Sequence, residues 1–285
     1  MEKAYRALST APIAAKLITK LKIAGRWKAA SLLRVTPDWD MGDLHPVHAM
    51  YVNAFNVASV ISERISELKP MAPFVDLISE ADETYLPQGP PMSPLTGSYF
   101  NSWALFDACV GPANETIATI ILDLAGVFGM DPEWERLIRL LQQSRMGVYL
   151  HRGVENGLAI LEEPITGIVH HGLVPAGYLG QKDELWFVRV LPPPTPGGEE
   201  ALVHITPYVL IRPGLREWLT YFGRAIAPHF TVADYEKHMK FGPSRNYWNE
   251  FVFEAYVNNR KEVIYLAGVP DIPESLPQSK VNQRL

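Results

Sequence analysis

The chain has 285 residues, 47% apolar and 20% charged, a composition that buries a large core and excludes the low-hydrophobicity, high-charge regime of disordered chains. Its net charge of −5 is unevenly placed: residues 1–34 carry eight Lys or Arg against Glu2, residues 35–144 carry four basic and fifteen acidic residues, and the remainder is near balance. Cys109 is the single cysteine, which excludes an internal disulfide framework and sets cytoplasm as the expected compartment, and no run reaches the ~18 apolar residues of a membrane span.

The first 34 residues are acid-poor and rich in Lys and Arg, as transit peptides are, but they lack the continuous apolar stretch of a secretory signal. Ile13, Leu17, Leu21 and Ala24 recur at helical spacing, with Lys16, Lys20, Lys22 and Lys28 on the other faces. This predicts a basic amphipathic helix beginning at Pro12. Residues 46–68 form the clearest helix, with Val47, Met50, Tyr51, Ala54, Ala58, Ile61, Ile65 and Leu68 on one stripe, Asp43 as its cap and Pro70 beyond its end. A short helix near 73–80 follows, and then an irregular strap from 82 to 97 with four prolines and two glycines. Residues 98–110 and 113–128 read as two packed helices, the first carrying Cys109. Asp131 and Pro132 announce a third as its cap and first position.

From Gly147 the period changes. Asn156-Gly157 between two apolar runs predicts a type I′ hairpin, and three further strand-like runs follow at 168–174, 184–191 and 201–210. Pro213-Gly214 opens another helix, Thr231 with Asp234 approximates a capping box, Ser244 caps a helix bearing Trp248 and Phe251, and a last strand covers 263–267. The fold class is therefore α+β. A helical region over 1–144 carries the basic arm, and a small antiparallel β-meander or partly closed barrel spans about 145–211. C-terminal helices pack back on it, the two regions sharing one core.

Ligand-type side chains concentrate in Asp38, Asp40, Asp43, His45 and His48. His45 and His48 are three residues apart, a spacing that suits two ligands of one transition metal. Helix capping and complementation of the helix dipole explain the same acids without a metal, and that reading is favoured. His170 and His171 are adjacent in a strand and point to opposite faces, so at most one joins His151 or His204 in a pocket, with Arg145, Glu162 or Arg189 as partners. Cys109 lacks an electropositive neighbour and reads as a buried thiol. The aromatic residues Tyr178, Trp186, Phe187, Tyr208 and Trp218 read as core, and Pro192-Pro193-Pro194 as a stiff segment that bounds the sheet or offers a docking surface. No GxSxG, SxxK, GxxxxGK[ST], GxGxxG or HExxH pattern occurs.

These features favour a cytoplasmic, non-catalytic binding or assembly protein. Its basic helix, through Lys16, Lys20, Lys22 and Lys28, meets acidic surface on its own body, on a second copy or on a protein partner. No cofactor is expected. One alternative is a metal-assisted or acid-base hydrolase using Asp43, His45 and His48, or the strand histidines. Another is a nucleic-acid-associated protein, which the net −11 of residues 35–144 opposes, as it opposes binding to anionic lipid.

Overall fold

In a computed structural model, residues 12–24, 42–85, 94–110, 113–210, 214–225 and 231–241 are described. The fold is α+β: helices together with a closed five-strand barrel and a small antiparallel sheet. The chain divides into two compact units. One comprises 1–82, 101–144 and 194–196, the other 83–100, 145–193 and 197–285.

The first unit is helical. Helix α1 (Ile13–Ala24) buries Ile13 and Leu17 of the predicted stripe and also Ala14, while the side chains of Leu21 and Ala24 lie outside the described residues. Helix α2 (Pro46–Ser66) buries Ala49, Tyr51, Ala54, Ala58, Ile61 and Ile65, while Val47 and Met50 are half-buried. Its N-cap is His45, with no side-chain cap hydrogen bond, so Asp43 does not serve as the cap. A 3₁₀ turn (Lys69–Met71) leads into α3 (Ala72–Tyr85), and α4 (Pro94–Phe106) follows. The expected strap is therefore helical at both ends, and 86–93 lies outside the described residues.

The predicted helix over 98–110 stops at Phe106. Cys109–Val110 is a short strand, β1, paired antiparallel with β2 (Glu115–Thr116). Thr116 explains why no helix starts at 113. Its hydroxyl accepts the Thr119 N–H at 3.1 Å while the Thr119 hydroxyl accepts the Thr116 N–H at 2.7 Å. This reciprocal cap fixes the start of α5 (Ile117–Asp123). A short α6 (Ala125–Phe128) ends on Gly129, at φ 64°. Asp131 caps α7 (Pro132–Gln143) through the Glu133 N–H at 2.8 Å, and Trp134, Leu137, Ile138 and Leu141 are buried.

In the second unit the barrel strands are β3 (Met146–Glu155), β4 (Leu158–Glu162), β5 (Val169–Leu173), β6 (Leu185–Leu191) and β7 (Glu200–Leu210), in the closed order β3-β4-β5-β7-β6. Asn156 and Gly157, at φ 50° and 82°, make the β3–β4 turn, in the left-handed region a type I′ hairpin requires. Two features go beyond a meander: β6 returns to pair with β3, and β7 lies parallel to β5. Strand β7 joins both partners by bending. Residues 205–207 bulge opposite Val188, with Ile205 at φ 70°, and Pro207, which has no N–H to place in a ladder, fits such a bulge.

Alternation sorts the side chains onto two faces. Tyr149, Ala159, Leu161, Trp186, Val188, Val190, Ala201 and Val203 form one buried cluster, drawn from strands all round the barrel, and so fill its interior. Gly147 and Gly172 make room for them. A Cβ at Gly147 would meet Tyr149 Oη at 2.5 Å, and one at Gly172 would meet Val203 at 2.9 Å. The outer face of β3, β6 and β7 packs on helices α8 (Leu215–Ala225) and α9 (Val232–Phe241) through Val148, Phe187, Tyr208, Trp218, Phe222 and Tyr235. Thr231 caps α9 by accepting the Asp234 N–H at 3.1 Å. The C-terminal helices thus pack back on the barrel as expected. The helix proposed from Ser244 and the strand over 263–267 lie outside the described residues.

Candidate functional site

The barrel brings chemistry-bearing side chains together at the end formed by the start of β3, the end of β4 and the start of β5. Glu163, 1% exposed, stands two residues beyond Leu161, at the parity that faces inward. It accepts two hydrogen bonds from Arg145, at 2.7 and 2.9 Å, one from the Thr166 hydroxyl at 2.8 Å and one from Tyr235 Oη on α9 at 3.1 Å. The guanidinium also lies 5.1 Å from the Tyr235 ring centre. The turn after β4 is closed by Glu163 N–H to Ile168 O at 2.9 Å and Gly167 N–H to Glu163 O at 2.8 Å. A buried carboxylate with this many donors is compensated for its lost hydration. Burial is the largest single influence and works against the Arg145 charge, but the Glu163 hydrogen bonds, joined by the electrostatic pull of Tyr149, Glu163 and Tyr235, together hold the guanidinium firmly protonated.

Two further groups face this pair. Tyr149, inside the barrel, is pushed well above its ordinary pKa by burial and then by the Glu163 charge, and keeps its proton. His170 packs its ring edge-on to Tyr149 at 5.8 Å. Burial pulls its pKa down against the opposing pull of Glu163, so the imidazole is neutral at pH 7. The assembly holds one buried ion pair, two phenols and one neutral imidazole.

The opposite end is organised differently. His151, fully buried, accepts the Gly153 N–H at Nδ1 (3.1 Å), and its Nε2 lies 2.8 Å from Leu179 O, which it bonds as donor. Both ring nitrogens are occupied. Glu184 accepts Tyr178 Oη at 2.5 Å, Trp186 Nε1 at 2.9 Å and the Gln181 N–H at 3.0 Å. The Glu184 bond raises the Tyr178 hydroxyl to about 12. The Trp186 ring stacks on Tyr178 and meets His151 at a tilt of 53°, and Gly180, at φ 78°, passes so close that a Cβ would overlap the Trp186 ring.

The other candidates are dispersed. Asp43 and His45 are exposed and His48 is half-buried. Burial lowers the pKa of His48, and the neighbouring His45 lowers it further. Among the described residues no three His, Cys, Asp or Glu side chains converge as a metal-ligand set. Asp38, Asp40 and Lys28, and the side chains of Lys20 and Lys22, lie outside the described residues, and Lys16 is half-buried. Glu162, named as a histidine partner, pairs instead with exposed Arg152 at 2.7 Å. His171 is exposed, and His204 stands opposite Arg189 in the β6–β7 ladder. Cys109 is buried, on a strand rather than a helix. Pro194 is buried and its carbonyl accepts a hydrogen bond from Arg136, so the prolyl run is pinned at that residue.

Sequence reasoning missed Glu163, Thr166 and Tyr235, although the alternation Ala159, Leu161, Glu163 was a usable signal for the first. It also missed Glu115. This carboxylate, 6% exposed, accepts the N–H groups of Ile13 and Ala14 at 2.8 and 3.1 Å, and so caps the first turn of the arm helix. No family model, curated protein or solved structure matches the chain, and the functional reading rests on this geometry.

Proposed function

We propose that the chain is a non-catalytic binding or assembly protein of a reducing compartment such as the cytoplasm, whose basic N-terminal helix is seated on an acidic group and meets a protein partner or a second copy. The observation that carries this reading is the clamp of Glu115 on the first turn of α1, together with the burial of Ile13, Ala14 and Leu17. The occupied state of the other polar groups points the same way: Glu163 with Arg145, both nitrogens of His151, and Glu184 with Tyr178 and Trp186 are consumed in internal bonds. Nucleic acid is the weaker partner, because Arg145 and Arg152 of the barrel are both paired with carboxylates. Among the described residues no helix is long and apolar enough to cross a membrane.

Deleting residues 2–34 tests the reading. The truncated chain is expected to lose thermal stability and to change in solution mass or partner retention. Unchanged stability, mass and binding would overturn it.

A further inference from the structure

Asn156-Gly157 is the one Asn-Gly pair of the chain, and the fold places it at the tip of a hairpin that runs past its neighbouring strand. Strand β3 pairs with β6 as far as Leu150, and the His151 backbone still bonds Glu184 and Asp183. From Gly153 to Glu155 its ladder partner is β4 alone. Asn156 and Gly157 are both exposed, and a Cβ at Gly157 would meet no heavy atom within 4 Å. The closing pair of the turn is Glu155 with Leu158, so the Gly157 N–H takes no part in the ladder, and among the described residues none holds the Asn156 side-chain amide. We propose that Asn156 is a site of spontaneous covalent modification, at which the Gly157 backbone nitrogen displaces ammonia from the Asn156 side chain.

The reaction needs a backbone nitrogen that can lose its proton and reach the side-chain carbon. Hydroxide takes the Gly157 amide proton, the nitrogen bonds to Asn156 Cγ, and the bond from Cγ to the side-chain nitrogen breaks, that nitrogen leaving as ammonia with a proton from water. Water then opens the five-membered imide. Opening at Cγ gives aspartate, and opening at the main-chain carbonyl gives isoaspartate, whose backbone runs through the former side chain. Glycine carries no Cβ to shield its nitrogen, and loop tips of this kind are where backbone is least restrained. Other asparagines lack these conditions. Asn53 donates its amide to Ala49 O at 3.0 Å, and Asn101-Ser102 lies within α4, where backbone N–H groups are spent in the helix. Isoaspartate lengthens a two-residue loop by one main-chain atom, which the type I′ geometry does not accommodate. The bulge between His151 and Gly153 marks where the disturbance should end, leaving the β3–β6 pairing intact. The inference goes beyond the arm reading and is independent of it, since the hairpin and the arm belong to different units.

The test is incubation of the native full-length protein in mildly alkaline buffer made with oxygen-18 water, followed by tryptic mapping of the peptide 153–182, in which Asn156 is the sole asparagine. Labelled aspartate and isoaspartate at position 156 are expected, formed at least tenfold faster than any change at Asn53 or Asn101. Asn156→Gln, which would have to close a larger ring, should react at least tenfold more slowly. The unmodified chain supplies a second measurement that needs no variant: the rate should rise with pH, because the attacking nitrogen must first be deprotonated. Conversion only after denaturation, aspartate without isoaspartate, equal rates at Asn101, or an unchanged rate in Asn156→Gln would overturn the proposal.

Discussion

Two buried carboxylates, Glu115 and Glu163, are satisfied in opposite ways. Glu163 is held by side chains from separate places in the sequence: Arg145 before β3, Thr166 in the turn after β4, and Tyr235 on α9. Glu115 is held by backbone N–H groups at one helix end. The first arrangement ties α9 to the barrel through charge-assisted bonds in which each partner leaves the other stranded if removed. The second ties down a helix whose own N–H groups return to water when it lifts away. A carboxylate in a side-chain network locks elements together, whereas one on a helix N-terminus makes a seat that can be vacated.

The largest test of this contrast is Glu163→Ala, which leaves the Arg145 charge buried and unpaired and should destabilise the protein by about 3–5 kcal/mol in denaturant unfolding. A loss below about 1 kcal/mol would show that the network is ornamental. Next comes acid. His238 on α9 is 6% exposed and burial lowers it to about 4. Its unfolded form, with the ordinary value of 6.5, binds a proton first, so stability should fall as pH drops from about 6.5 toward 4 and then level off. The effect is on the order of 3 kcal/mol, and His170 works in the same direction. His238→Leu should flatten that slope in a pH series of midpoints.

Glu115→Ala should cost about 2 kcal/mol, because the two α1 N–H groups lose their acceptor while the barrel is untouched. Tyr235→Phe, which removes one bond to Glu163, should cost about 1–2 kcal/mol. The smallest effect is expected from Arg152→Ala: the pair joins exposed Arg152 to half-buried Glu162 at the surface, and surface pairs of this sort rarely register. A large loss from Arg152→Ala would contradict the distinction between buried and exposed pairs.

The legible parts of the molecule were those with local signals. Asp131-Pro132 marked the start of α7, Asn156-Gly157 marked the hairpin, Thr231 with Asp234 marked α9, and a single apolar stripe marked α2. The α+β class followed from the change of period at Gly147. What stayed hidden depends on pairing over distance. Nothing near β6 in sequence says that it closes on β3, or that β7 runs parallel to β5. The short β1–β2 pair was hidden because Cys109 and Val110 continue an aromatic, helix-like run. At the candidate site, Arg145 and His170 were named but Glu163 was passed over for its neighbour Glu162, although the inward parity of Ala159 and Leu161 continues to Glu163. Tyr235 carried no signal, since its partner lies 72 positions away. The arm illustrates the same limit. Its lysines drew attention to charge pairing, while the contact that fixes it is made by two amides of Ile13 and Ala14.

Amide hydrogen exchange of the arm tests the seat on Glu115 most directly. In the wild-type chain Ile13 and Ala14 should be protected, and in Glu115→Ala that protection should collapse while the barrel amides of β3 and β6 exchange as before. Arm amides that exchange freely in the wild type, or at the same rate in both proteins, would contradict the account.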